Sequence, residues 1–117
     1  MREEANIQIE QFLDGKLLKV SMFGKTYNTV FSTARYKGGR IAIELIGEKD
    51  GEPFAMLTVN IPEVPLKEYE FLIKNWSENE DIAKAALASG FFIDTGKRVS
   101  TGFEQAPIWE IDPSFDL

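Results

Sequence analysis

The stretch Arg40 to Pro62, RIAIELIGEKDGEPFAMLTVNIP, constrains the fold more than any other part of the chain. Ile41, Ile43 and Leu45 alternate with Ala42, Glu44 and Ile46, and Phe54, Met56 and Thr58 alternate with Ala55, Leu57 and Val59. Successive side chains of a strand point to opposite faces, so each run reads as a strand. Asp50-Gly51 lies between them. Glycine takes positive φ at no steric cost and aspartate bonds its own backbone, so the pair closes a hairpin. Both faces are largely apolar, which predicts central strands covered at least in part on both sides. Pro62 lacks a ladder donor, so the second strand is expected to stop near Ile61.

A hairpin of this kind needs a core. The chain has 117 residues, 44% of them hydrophobic, enough for one domain over 1–117 and a sizeable interior. It has no cysteine and no histidine. Disulfides and thiolate metal sites are therefore impossible, which fits a reducing compartment. The commonest general base and transition-metal ligand is missing too. The opening MREEANIQIEQ is charged and lacks the apolar region of a secretory signal, and no apolar run is long enough to span a membrane. The expected location is cytoplasmic. A formal net charge of −6 disfavours binding to phosphate backbones and to anionic membranes. The acids either keep the protein soluble or imitate nucleic acid towards a basic cleft.

Before the hairpin, Ala5, Ile7 and Ile9 alternate with polar residues and predict a half-exposed strand. Asp14-Gly15 then reads as a turn, and Leu18, Val20 and Met22 as the returning strand, with Gly24 ending it or marking a bulge. Between Lys25 and Gly39, Thr26, Tyr27, Thr29, Val30, Phe31 and Thr33 suit a strand, the alternative being a mobile loop. A turn follows at Tyr36-Lys37-Gly38-Gly39.

After the hairpin, Leu66, Tyr69, Ile73 and Trp76 suit a helical stripe, whereas Phe71-Leu72-Ile73 suits a short strand over Glu70–Lys74; periodicity alone does not separate the two, and the strand is the favoured reading. Ser77-Glu78-Asn79-Glu80 matches a capping box, and Glu78, Glu80 and Asp81 suit a helix N-terminus. The following run predicts a helix over about 78–89, with Ile82, Ala83, Ala86 and Leu87 on its apolar face and Gly90 at its end. Phe91-Phe92-Ile93 reads as a short strand or an anchored helix exit. Phe103 to Ile111 predicts a last strand, placed by Pro107 at an edge or a bulge, and Asp112 to Leu117 a frayed tail. The fold class is α+β: a mainly antiparallel twisted sheet built from hairpins, with one short helix on one face.

No motif assigns a chemistry. Ser77 is a cap rather than a nucleophile, since no nucleophile elbow surrounds it. Asp50 and Glu52 flank a turn and do not match a calcium loop. Gly38-Gly39 and Thr95-Gly96-Lys97 are turns, not phosphate loops. No catalytic, metal-binding or cofactor-binding residue is assigned, and no cofactor is expected. Trp76, Phe91, Phe92, Phe103 and Trp109 fill the helix–sheet core or, if clustered on the surface, mark an interface. Trp76, Phe91, Phe92 and Trp109 are the candidate aromatic interface.

From Arg40 on, the hairpin sequence and the later stretch EYEFLIKNWSENEDIAKAALASGFFIDTGKRVSTGFEQAPIWEI resemble a family of small bacterial proteins known as domain of unknown function 4313. The shared features are the hairpin turn, the Lys-Asn-Trp-Ser-Glu-Asn-Glu run, the helix, a Thr-Gly turn and a closing apolar strand. The resemblance implies a setting on conjugative elements or prophages and carries over no catalytic residues. With the acidity, it suggests a non-enzymatic interaction module with a protein partner. In its sharper form this is an anti-defence inhibitor of anti-CRISPR or antirestriction type. The candidate acidic face is Glu63, Glu68, Glu70, Glu78, Glu80 and Asp81. The alternatives are a small-ligand binder or carboxylate-based enzyme, and a structural subunit that dimerises through a strand edge.

Overall fold

A computed structural model of the protein describes residues 2–117. The fold is α+β, with two α-helices and seven strands in two antiparallel sheets. Helix α1 is Arg2–Leu13. Strands β1 (Leu17–Met22), β2 (Lys25–Arg35), β3 (Ile41–Gly47) and β4 (Pro53–Met56) follow as a meander in sequence order. Strand β5 (Glu70–Leu72), a 3-10 turn (Ser77–Asn79), helix α2 (Glu80–Ala88), strands β6 (Phe92–Ser100) and β7 (Gln105–Ile111) and a 3-10 turn (Pro113–Phe115) complete the chain. The second sheet has the order β5-β7-β6.

The hairpin over 40–62 is present, but only its first strand is central; β4 lies at the edge of the sheet with Pro53 and Met56 exposed, and it is short. It ends at Met56, not near Ile61. Beyond it the chain leaves the first sheet for the second. Leu57 donates its amide to the Ile43 carbonyl at 2.9 Å and accepts from the Lys74 amide at 2.8 Å, while Val59 donates to Leu72. The segment over 57–59 therefore ties both sheets together. Buried side chains from both meet in one core, including Val20, Phe31, Ile43, Leu45, Phe71 and Ile73. Helix α2 packs against β1 and β6, and α1 against β2. Phe31 is fully buried against the Phe91 and Phe92 rings at 5.8 and 5.9 Å, and such burial contributes about 2–3 kcal/mol. A smaller cluster of Leu72, Ala106 and Ile108 lies under Val59, Ile61, Val64 and Leu66.

Several expectations are corrected. The first segment is a helix, not a strand. Ala5, Ile9 and Leu13 recur at i, i+4 and i+8 and are buried with Asn6, whereas Ile7 faces solvent. The period of four overrides the period of two read from Ala5, Ile7 and Ile9. Asp14-Gly15 accordingly closes a helix rather than a hairpin. Gly15 has φ 84°, and the Asp14 carboxylate accepts from the Thr33 amide and hydroxyl at 2.7 and 2.8 Å. Arg35 grips Glu10 with two bonds, at 2.9 and 3.1 Å, and Glu3 with one at 2.6 Å, locking α1 onto β2. Residues 25–35 form a strand, as the stronger of the two readings had it, and Tyr36 to Gly39 make the turn.

The capping box does not form. Ser77 takes φ 55° and opens a 3-10 turn, and Asn79 precedes α2. The Asn79 amide group is spent on the carbonyls of Met56 (2.5 Å) and Lys74 (3.1 Å), which pins the start of α2 to the end of β4. Ile82, Ala83 and Ala86 are buried as expected, Leu87 is exposed, and Gly90 takes φ 85° beyond the helix end. Pro107 lies in β7, the central strand of its sheet, not at an edge. Its carbonyl accepts from the Ile73 amide at 3.0 Å, so its nitrogen faces the β5 side just past Leu72, where β5 has ended. On the other side Thr95-Gly96-Lys97, expected as a turn, is a bulge within β6 between the pairs Asp94–Trp109 and Arg98–Pro107. The tail is not frayed. Asp112 accepts from the Ser114 amide, and Phe115 packs its ring on Phe12 at 4.7 Å.

Candidate interaction surface

Strands β1 and β2 are joined by Met22-Phe23-Gly24-Lys25. Phe23 has φ 55° and Gly24 φ 73°, the two positive values of a tight primed hairpin turn. Asparagine is the residue best suited to the first of these positions, because a bulky side chain there crowds the backbone. The Phe23 ring gains no burial in return: it is 86% exposed. Strain and exposure thus coincide at one side chain.

Behind this turn the inner face of the first sheet runs beyond the cover of the second. Tyr27 continues the face that carries Thr29 and Phe31. Phe54 is the extra residue of a bulge in β4, where Leu45 pairs with Ala55 but Ile46 with Pro53. Bulges re-aim side chains, and here the Phe54 ring meets that of Tyr27, centroids 5.4 Å apart. Met22, Phe23, Met56 and Ile82 continue the lining, giving an open groove of about 440 Å³ between the sheet and the start of α2. Across the Tyr27–Phe54 pair it adjoins a second cleft of about 390 Å³, bordered by Glu48, Asp50 and Glu52 of the main hairpin turn. On the other rim Lys74 is paired with Glu78 at 2.8 Å.

The six acids of the candidate face differ in their surroundings. Glu63 and Asp81 are exposed. Glu68 is half-buried, beside Arg2 and Arg40. Glu78 and Glu80 pair with Lys74 and Lys84 along the helix surface. Glu70 points inward, 4% exposed, with Lys97 at 2.6 Å and the Lys67 amide at 2.8 Å. Burial pushes its carboxyl up, but the bonds from Lys97 and Lys67 outweigh it and hold the group below the usual carboxylate range. Its role is to fasten β5 to the β6 bulge.

Of the aromatics, Phe92 and Trp109 are buried in the main core, Phe91 is half-buried against it, and Trp76 covers the smaller cluster. They fill the interior and present no joint outer patch. Phe103 is the exception, fully exposed at the β6–β7 turn. The Trp109 indole N–H is a buried donor without a partner among the described residues. Of the residues that do line an exposed apolar surface, the sequence reads Phe54, Met56 and Tyr27 as strand residues and marks none of them, nor Phe23, as surface. The Phe-Gly pair at 23–24 between two alternating runs was the available signal.

Among the described residues no group of three acids is placed to hold a metal ion, and no helix is long and apolar enough to cross a membrane. The fold defines an α+β protein with an exposed aromatic groove. No protein-family model, curated protein or solved structure matches the chain.

Proposed function

We propose that this is a cytoplasmic protein-interaction module that works by docking rather than by bond-making, and that it docks through the groove behind Phe23. The observation that carries the reading is Phe23 itself. Strained backbone is retained where surrounding structure or function over-determines it. Here the ring lies in solvent, so packing does not explain the strain, whereas exposed clustered aromatics are typical anchors of protein interfaces. Met22, Tyr27, Phe54 and Met56 extend the anchor into a contiguous apolar surface.

The net charge of −6 favours a basic partner. The narrowest form of the proposal follows from the likeness to mobile-element proteins: an anti-defence inhibitor that obstructs a basic nucleic-acid channel. The test is capture from bacterial lysate at low salt by the wild type beside Phe23→Asn. A protein retained by the first and lost by the second supports the reading. Identical capture by both, or none, rejects it.

A further inference from the structure

Resting on that reading, we propose that the segment seated in the groove is cationic: an apolar anchor flanked by lysine or arginine, contributed by the partner protein. The groove has two compartments that share Tyr27 and Phe54. The first is apolar, formed by Phe23, Met22, Met56 and Ile82, and suits one or two aliphatic or aromatic side chains. The second is acidic. Asp50 is already engaged, because its carboxylate accepts from the Glu52 amide and fills the space where a side chain on Gly47 would lie. Glu48 and Glu52 are exposed and carry no ion pair among the described residues, with Lys49 the one base beside them. On the opposite rim Glu78 neutralises Lys74. Lys25, in the β1–β2 turn, is the other base nearby; Glu48, Asp50 and Glu52 outnumber it and Lys49, so the net charge around the groove is negative.

The tilted pair of rings between the compartments completes the match. A guanidinium or ammonium passing from the anchor site meets the faces of Tyr27 and Phe54 and then the carboxylates, a cation–π contact leading into ion pairs. A polyanion is repelled by the same rims. A second copy of this chain brings a surface with the same net sign and is disfavoured on that ground.

The test uses random peptides displayed on phage, selected on the immobilised full chain and counter-selected on Phe23→Asn. Recovered peptides are then synthesised and measured by fluorescence anisotropy. The expected peptides carry an apolar residue with at least two lysines or arginines. They bind Phe23→Asn about 100-fold more weakly, as loss of an interface anchor does. They bind a Glu48→Gln, Glu52→Gln double variant about tenfold more weakly at low salt, a difference that closes at high salt. Phe23→Gly, whose backbone also tolerates the turn, repeats the first result should Phe23→Asn misfold. Neutral or acidic peptides that still need Phe23 would overturn the cationic segment and leave the docking surface standing. Peptides that ignore Phe23, or none enriched, reject both. Reversible self-association of the wild type that Phe23→Asn abolishes makes a second copy the occupant and overturns the proposal.

Discussion

Two of the three turns of the first sheet solve the same geometric problem in opposite ways. At the β3–β4 turn every local choice favours the fold. Gly51 takes φ 68°, Asp50 bonds the Glu52 amide at 3.0 Å, and Gly47 leaves room for the Asp50 carboxylate. At the β1–β2 turn the glycine is in place, but its neighbour is a phenylalanine held at φ 55° with its ring in water. A chain shaped only by stability has little use for that residue there. The difference separates a turn that holds the sheet together from one that presents something.

The largest expected effect of breaking this contrast is on binding. Phe23→Asn should weaken partner capture by about 2 kcal/mol or more, the range of an interface anchor, read as a change in dissociation constant. At the other turn the effect should fall on stability. Gly47→Ala has to displace the Asp50 carboxylate, since an added Cβ would lie 2.2 Å from its oxygen. A loss of about 1–2 kcal/mol is expected in urea unfolding, with binding affected only through Glu48 and Glu52. Smaller, and opposite in sign, is the effect of Phe23→Asn on the free protein. Relief of the turn should stabilise it by about 0.5–1 kcal/mol, seen as a higher melting temperature. A variant that melts later and binds worse would sharpen the comparison. One that melts earlier would break it, by showing that the ring supports the fold.

An acid titration tests a different part of the fold. Glu70 is held below its ordinary value, so its contribution is present above the unfolded-state value and is lost as pH falls through the depressed one. The wild type should therefore lose stability on acidification below about pH 4.5, the usual range of a glutamate. Glu70→Gln should flatten that part of the curve and cost about 2 kcal/mol at neutral pH, from the lost charged bond to Lys97. Smallest of all, Arg35→Gln should cost less than about 1 kcal/mol, because the partners Glu3 and Glu10 are solvent-screened.

The main hairpin, the strand at 25–35, the α2 region and the last strand were legible in the sequence because their signals are local. Alternation, Asp-Gly and an alanine-rich run act within a few residues. The first segment was misread because Ile7 supports a period of two and only burial decides between that and Ala5, Ile9 and Leu13. The capping box failed because Asn79 answers to distant carbonyls on Met56 and Lys74. Pro107 is tolerated in a central strand because its nitrogen faces β5, a partner remote in sequence that has already ended at Leu72. The groove was illegible for the same reason. Phe54 reaches Tyr27 through a bulge, and Phe23 stands out only once its dihedral and exposure are known.

Residue Leu57 bonds Ile43 on one side and Lys74 on the other. Such a shared rung leaves neither half of the molecule able to melt on its own terms. Heat or denaturant should open the protein in one step, whichever probe follows it. In hydrogen exchange the amides of Leu57 and Lys74 should be among the slowest, released only when the whole chain lets go.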